Sequence, residues 1–238
     1  MTPRATPRPR PARGPILILS AFAPELAPLR LTLKRAAVPM TDVVCVAAGI
    51  GAIDAAIGAS RAIAECGPRI VVFVGTAGSY GAAPGLGGCA IGRCILLAST
   101  AAIRGDGYLP APMVMREDTD AILRRALVRS AHATTTTPLV VDVATPLAIT
   151  TSATLARRLA TSTGAGTENL EAFAVGRAAT LAKVPFGVVL GISNRVGPRA
   201  HVEWLHHRDR ATNTVCRVVE QFLVAARVLK GPIRSAPK

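Results

Sequence analysis

Residues 16–26 read ILILSAFAPEL, an apolar run that is followed by Pro24 and Glu25. A short, continuous apolar run is typical of a strand that is covered on both faces, and proline is favoured at an early helical position. The stretch therefore predicts a buried strand, Ile16–Ser20, and a helix over residues 24–35. Glu25 then lies just beyond the carboxyl end of the first strand, where open α/β sheets bind ligands. Complementing the helix dipole is the alternative role for an acidic residue in a first turn.

The same pattern repeats along the chain. Further strand-like apolar runs lie at residues 43–48, 70–74, 94–98, 139–143 and 186–193. Helix-like segments lie at residues 52–66, 118–131, 152–160, 170–182 and about 208–229. This alternation of strands and helices predicts an α/β fold with a largely parallel or mixed sheet. We expect one such domain over residues 15–230.

The two ends of the chain differ from this domain. Residues 1–14 are rich in Pro and Arg without any acidic residue, so we expect a disordered basic extension there, and a flexible tail at residues 231–238. A basic segment before an apolar run also resembles a signal peptide, but a cut after Ala23 would remove the first predicted core strand. We therefore expect a cytoplasmic protein. No apolar run reaches the roughly 18 residues that a membrane-spanning helix needs, so we expect no membrane partner.

Charge and composition narrow the choice of partner. The net charge of +14 could indicate a nucleic-acid partner. Only 3% of the residues are aromatic, which leaves few side chains on which bases could stack. We expect a small polar or anionic molecule instead, with non-specific nucleic-acid binding at low salt only. The five scattered cysteines complete no zinc site, so we expect no metal.

Two glycine-rich segments follow predicted strands: Gly49-Ile50-Gly51 and Gly75-Thr76-Ala77-Gly78. Such a turn lets backbone N–H groups approach a ligand closely, although each could be plain turn chemistry. A dinucleotide-binding fingerprint needs a third glycine shortly after Gly51, where Ile53 and Asp54 occur instead. The sequence therefore predicts no dinucleotide cofactor.

Residues 167–171 read TENLE and lead into an almost uncharged, alanine-rich segment. Helix capping would explain these polar side chains at the start of a helix. Two carboxylates and an amide next to an apolar element are nevertheless costly to bury without partners, which favours a functional role.

Another apolar strand, over residues 186–193, ends in Ser193 and runs into Asn194. Trp204, the only tryptophan, is expected in the loop that follows, as a core, interface or site residue. Nearby residues have no metal-ligand spacing on one helix face and are expected to be solvated: His201, Glu203, His206 and His207.

Over residues 15–229 the chain resembles the nucleoside phosphorylase and nucleosidase superfamily. The resemblance rests on four features in this order: the segment around Glu25, the two glycine-rich segments, residues 167–171, and the strand end at Ser193 and Asn194. Within this superfamily the chain is similar to the nucleosidases for methylthioadenosine and adenosylhomocysteine and to futalosine hydrolase. The resemblance implies a mixed central sheet flanked by helices in three layers, no cofactor, and a homodimer or larger homo-oligomer with a nucleoside as substrate.

The resemblance also implies roles for individual residues. Glu25 matches the carboxylate that activates water, and Glu171 matches the one that binds the ribose hydroxyls. Asn194 stands where the methylthioadenosine-type enzymes have an aspartate that protonates the leaving base; an amide can only hydrogen-bond it. The matching segments supply the remaining predicted substrate-binding residues: Ile50, Thr76, Ala77, Gly78, Asn169 and Leu170.

Departures from the family pattern bear on the substrate. Residues 191–199, GISNRVGPR, together with Trp204 are similar to futalosine hydrolase, which releases hypoxanthine in the alternative menaquinone pathway. Leu170 replaces the usual Met, and residues 172–174 (AFA) replace Gly-Ala-Ala, so the 5′ substituent stays open. Glu25 favours water over phosphate as the nucleophile. We expect a purine nucleosidase; the alternatives are a purine nucleoside phosphorylase, a methylthioadenosine-type nucleosidase and a non-catalytic nucleoside-binding protein.

Overall fold

The structure is a computed structural model that describes residues 14–81, 83–134 and 136–228. The predicted tail at residues 231–238 lies outside the described residues, as does the predicted extension at residues 1–14 apart from Gly14. Gly14 itself accepts a hydrogen bond from the Arg69 guanidinium on its backbone oxygen, at 3.1 Å.

Within the described residues, eight strands form one mixed sheet. They are β1 (Ile16–Ser20), β2 (Val43–Ala47), β3 (Ile70–Ser79), β4 (Cys89–Leu97), β5 (Arg116–Asp118), β6 (Leu139–Thr145), β7 (Thr167–Glu168) and β8 (Phe186–Arg195). Strand β1 lies between β2 and β3, and β3 pairs with β8, all in parallel. Strand β8 runs antiparallel to β4, β4 and β6 are parallel, and β7 joins β6 back to β3. Strands β3, β8, β4, β6 and β7 thus form a closed circuit, and β5 pairs antiparallel with residues 94–96 of β4, beyond the residues that pair with β8.

Helices cover both faces of the sheet. After a 3₁₀ turn at Ala23–Leu26 they are α1 (Ala27–Arg35), α2 (Ala52–Cys66), α3 (Thr100–Arg104), α4 (Ala121–Ala133), α5 (Ala153–Thr163), α6 (Ala172–Leu181) and α7 (Ala200–Ala225). Leu17 and Leu19 pack on one face with α2 and α6. Ile16 and Ile18, one residue out of phase, pack on the other face with α1, α4 and α7.

This two-sided burial explains why the first strand is a continuous apolar run. It confirms the predicted α/β fold with a mixed sheet between helices. In the part of the chain that is described, none of the helices combines the length and the apolar character needed to cross a bilayer.

The glycine-rich segment at residues 75–78 is extended, so the expectation of a turn was wrong. It continues β3 and pairs with β8. A Cβ at Gly75 would lie 3.5 Å from Glu25 Oε2, and one at Gly78 would lie 2.8 Å from Asn194 Nδ2. These glycines therefore make room for neighbouring polar side chains rather than for a chain reversal.

Several element boundaries also differ from the sequence expectation. Helix α7 begins at Ala200, so Trp204 lies in its second turn and not in a loop. Helix α6 begins at Ala172, because Asn169 Oδ1 accepts the N–H groups of Glu171 and Ala172 at 3.0 and 2.8 Å and ends the preceding strand there. Strand β4 begins at Cys89 rather than at residue 94.

Gly58 lies where α2 crosses the end of β2, and a Cβ there would lie 1.9 Å from the backbone oxygen of Ala48. Alanine is the better helix former by about 0.5–1 kcal/mol, but overpacking against backbone costs about 1–3 kcal/mol. We expect Gly58→Ala to lower the free energy of unfolding, measured by denaturant titration. Ser60→Ala, at an exposed position of the same helix, should not lower it. A Gly58→Ala protein more stable than the wild type would contradict this packing.

Candidate active site

A cavity of about 350 Å³ opens at the carboxyl ends of the parallel strands β1, β3 and β8. This edge is where the sequence predicted a ligand site. All nine predicted site residues line the cavity: Glu25, Ile50, Thr76, Ala77, Gly78, Asn169, Leu170, Glu171 and Asn194. Their chemical roles stay predictions.

Glu25 lies in the 3₁₀ turn that follows β1. The residue as a whole is half-buried, but its carboxylate is enclosed. Oε1 accepts hydrogen bonds from the Thr76 N–H and hydroxyl, each at 3.0 Å. Oε2 is buried without a partner among the described residues. Burial raises the pKa of Glu25 to about 7, although the Thr76 bonds act against it, so this carboxyl can exchange a proton near neutral pH.

Trp204 supports this arrangement from α7. Its indole N–H donates to Thr76 Oγ1 at 3.2 Å, and that hydroxyl in turn donates to Glu25. The guanidinium carbon of Arg208 lies 4.9 Å from the centre of the Trp204 ring, within cation–π distance. The tryptophan therefore holds the hydroxyl that orients the carboxylate.

Asn169 connects β3 to the start of α6. Its Nδ2 donates to the backbone oxygen of Thr76 at 3.0 Å, while its Oδ1 accepts the two N–H groups at the start of α6. The predicted ligand-binding amide thus holds Glu171 close to Thr76, and one N–H of its Nδ2 is left for a ligand.

Glu171 is buried, with 6% of its surface exposed. Its Oε1 accepts the N–H of Gly51 at 2.9 Å, and Gly51 has a φ of 83°, which favours glycine at that turn. Burial also raises the pKa of Glu171. The glycine-rich turn after β2 therefore anchors a second carboxylate at the cavity.

Glu168 is a third buried carboxylate in the cavity wall, and sequence reasoning did not include it in the site. Oε2 accepts the Tyr80 hydroxyl at 2.8 Å, and Oε1 accepts the Thr150 N–H at 2.9 Å. Burial and the neighbouring Glu168 raise the pKa of Tyr80. Glu168 thus ties together the ends of β3 and β7 and the loop after β6.

Asn194 projects from the end of β8. Its Oδ1 accepts the Ser193 hydroxyl at 2.8 Å, and one of its Nδ2 protons is donated to the backbone oxygen of Arg195 at 3.1 Å. One N–H of the amide is left for a ligand.

Several other lining residues were not predicted from the sequence. Trp204 was expected as a core, interface or site residue, and it lines the cavity. Ile149 lies in the loop after β6 with no motif around it, and Phe22 precedes the motif residue Glu25. The expectation that His201 is a solvated residue at a helix start is incomplete, since it is exposed but also lines the cavity. The missed lining residues are Ala21, Phe22, Ile149, Glu168, Ser193, Ala200 and His201.

The family model described as the phosphorylase superfamily matches residues 24–224 of the chain. The chain belongs to the phosphorylase superfamily. The match includes all the residues that line the cavity except Ala21 and Phe22. No curated protein sequence shows significant similarity to the chain.

Several solved structures share the fold. Futalosine hydrolase of Helicobacter pylori aligns with a TM-score of 0.80 and 16% identity, over 90% of this chain and 98% of that one. The 5′-methylthioadenosine/S-adenosylhomocysteine nucleosidase of Neisseria meningitidis, in complex with methylthio-immucillin-A, gives 0.79 and 17%, over 89% and 99%. The corresponding nucleosidase of Colwellia psychrerythraea, in complex with adenine, gives 0.78 and 19%, over 94% and 99%.

The raised pKa of Glu25 predicts a pH-dependent stability. The folded protein binds the Glu25 proton more tightly than the unfolded chain does. Protonation of Glu25 therefore contributes fully to the free energy of unfolding below pH 4.5, and this contribution is lost as the pH rises through about 7. The loss amounts to about 3 kcal/mol at most. In Glu25→Gln the free energy of unfolding should fall less over this interval, as measured by denaturant titration at several pH values. Glu65→Gln, at an exposed carboxylate, serves as the control, and its free energy of unfolding should change with pH as that of the wild type does. An equal change with pH in all three proteins would contradict the raised pKa of Glu25.

Proposed function

We propose that the protein is a nucleosidase that hydrolyses the N-glycosidic bond of a purine-type nucleoside, in the manner of futalosine hydrolase. The observation that carries this proposal is the enclosed Glu25 carboxylate, with a pKa of about 7 and one unpartnered oxygen, in the same cavity as Glu171 and Asn194. A water molecule bound to Oε2 would lie beside any sugar held in the cavity.

Breaking the C–N glycosidic bond develops positive charge on the ribose, as in other glycosyl transfers. Glu171 would bind the ribose hydroxyls with the carboxylate oxygen that Gly51 leaves available. A buried negative charge next to the developing cation stabilises it strongly, because little solvent screens the interaction. The glycine turn that fixes Glu171 therefore also fixes the position of the sugar.

Glu25 would orient the attacking water and accept its proton. Thr76 occupies Oε1, so the free oxygen is the one that meets the water. General-base assistance of this kind contributes roughly 100- to 10,000-fold in rate. The base side of the nucleoside would meet Asn194, whose remaining N–H can donate to a ring nitrogen or to the 6-oxygen of a hypoxanthine.

The electrostatics of the cavity favour water over phosphate as the nucleophile. Three carboxylates line it, and among its described lining residues there is neither a lysine nor an arginine. A phosphate dianion would be repelled there, whereas a neutral water is not. This argues against the phosphorylase alternative.

The methylthioadenosine-type nucleosidase differs from the main proposal only in base and 5′ substituent, and the substrate panel below separates the two.

A homo-oligomer is part of the proposal. On and beside α2, Ile50, Ile53 and Ile57 are 63%, 74% and 64% exposed at helical spacing. Ile50 also lines the cavity, so a second subunit on this face would lie next to the site. An exposed apolar stripe of this kind is typical of an interface.

The first test is base release from futalosine, methylthioadenosine, adenosylhomocysteine and inosine, each with and without phosphate, followed by chromatography. We expect phosphate-independent release of hypoxanthine from futalosine, which would also support a role in menaquinone biosynthesis; we propose the cytoplasm as the place of that role. Glu25→Gln should lower kcat by roughly 100- to 10,000-fold with little change in affinity for the free base. Glu65→Gln should retain full turnover. Release that depends on phosphate, or a fully active Glu25→Gln protein, would overturn the hydrolytic mechanism.

A further inference from the structure

We propose that His201 is the general acid that protonates the departing base. The inference rests on the proposed nucleosidase function and adds a catalytic residue to it. Three points support it. Asn194 cannot give a proton to the base, His201 is one of the titratable side chains that line the cavity, and His201 lies at the start of α7.

A purine that leaves with the electron pair of the C1′–N9 bond is a basic anion, and its departure is faster when a ring nitrogen gains a proton. Asn194 meets the base side but cannot give that proton, because an amide only donates a hydrogen bond. Its own amide is moreover held by Ser193 and Arg195. Another group must supply the proton.

Four titratable side chains are found among the described residues that line the cavity: Glu25, Glu168, Glu171 and His201. Glu25 is committed to the water. Glu168 accepts the Tyr80 hydroxyl and the Thr150 N–H on its two oxygens, so both oxygens are already engaged by the protein.

Glu171 accepts the Gly51 N–H and faces the ribose in the proposed complex. Histidine is the side chain type that most readily exchanges a proton near neutral pH. His201 is therefore the member of this set that is suited to protonate a base.

The position of His201 agrees with this role. Ser193 and Asn194 end β8, and Ala200 and His201 begin α7 after a connection of four residues, 196–199. All four line the cavity, and in the proposed complex His201 faces the base together with Asn194.

The imidazole has a defined orientation although the residue is exposed. Its ring stacks on Trp204, with centroids 6.0 Å apart and an angle of 19° between the planes. Trp204 is in turn fixed by Thr76 and Arg208. Exposure lets the spent imidazole recover a proton from solvent after each turnover.

The step balances as follows. The C1′–N9 bond breaks, its electron pair goes to the purine, and the His201 imidazolium transfers its proton to a purine ring nitrogen. Water forms the new C1′–O bond and gives its proton to Glu25. Glu25 and the neutral imidazole then return to their starting states by exchange with solvent, so that nucleoside and water yield free base and ribosyl product.

The test compares His201→Gln with the wild type on ribosides that differ in the leaving group: inosine, 8-azainosine, whose base is more acidic, and 4-nitrophenyl riboside, which needs no proton. We expect kcat for inosine to fall at least about 100-fold, the loss to shrink for 8-azainosine, and 4-nitrophenol release to change little. His206→Gln, on the exposed surface of the same helix and outside the cavity, is the matched control and should behave as the wild type.

The possible failures are distinguishable. An equal loss on all three ribosides, or no loss on any, would show that His201 does not protonate the leaving group, while the nucleosidase proposal would stand. If the wild type itself released nothing from any riboside or from the substrate panel, the proposed function would be wrong and this inference would fall with it.

Discussion

The pair of hydrogen bonds between Thr76 and Glu25 Oε1 is the contact on which the cavity depends. Thr76 belongs to β3 and Glu25 to the turn after β1, so the bonds join two neighbouring strands at their carboxyl ends. The same threonine is bound by Trp204 from α7 and by Asn169 from the start of α6. One residue at the edge of the sheet thus joins its own strand to three other segments.

Enclosing several carboxylates in one cavity is unfavourable unless their oxygens have partners. Glu168 and Glu171 are each 6% exposed and receive donors from Tyr80, Thr150 and Gly51. Glu25 alone keeps an unpartnered buried oxygen, and its pKa rises accordingly. Glu25 thus differs from the other two carboxylates in that its unpartnered oxygen is enclosed, a local cost of the kind that functional sites retain.

Much of the fold could be predicted because β1 and the strands after it are covered on both faces and so are continuous apolar runs. The segments around Glu25, Glu171 and Asn194 could be found because polar groups next to apolar elements stand out in the sequence. His201 and Ile149 could not, because nothing in their local sequence indicates that the start of α7 and the loop after β6 fold back onto the cavity. The strand at Gly75 and Gly78 was mistaken for a turn, since a glycine that makes room for a distant side chain resembles a glycine that reverses the chain.

The closed circuit of strands also bears on cooperativity. Its shortest member, β7, pairs Glu168 with Gly78 on one side and with Ala144 on the other, although these partners are far apart in the chain. Asn169 and Glu171 follow directly, so a complete binding cavity exists only in molecules whose circuit is closed. A ligand that binds the cavity therefore shifts the population toward the closed sheet by mass action, and occupancy of the site and integrity of the sheet become two measures of a single equilibrium.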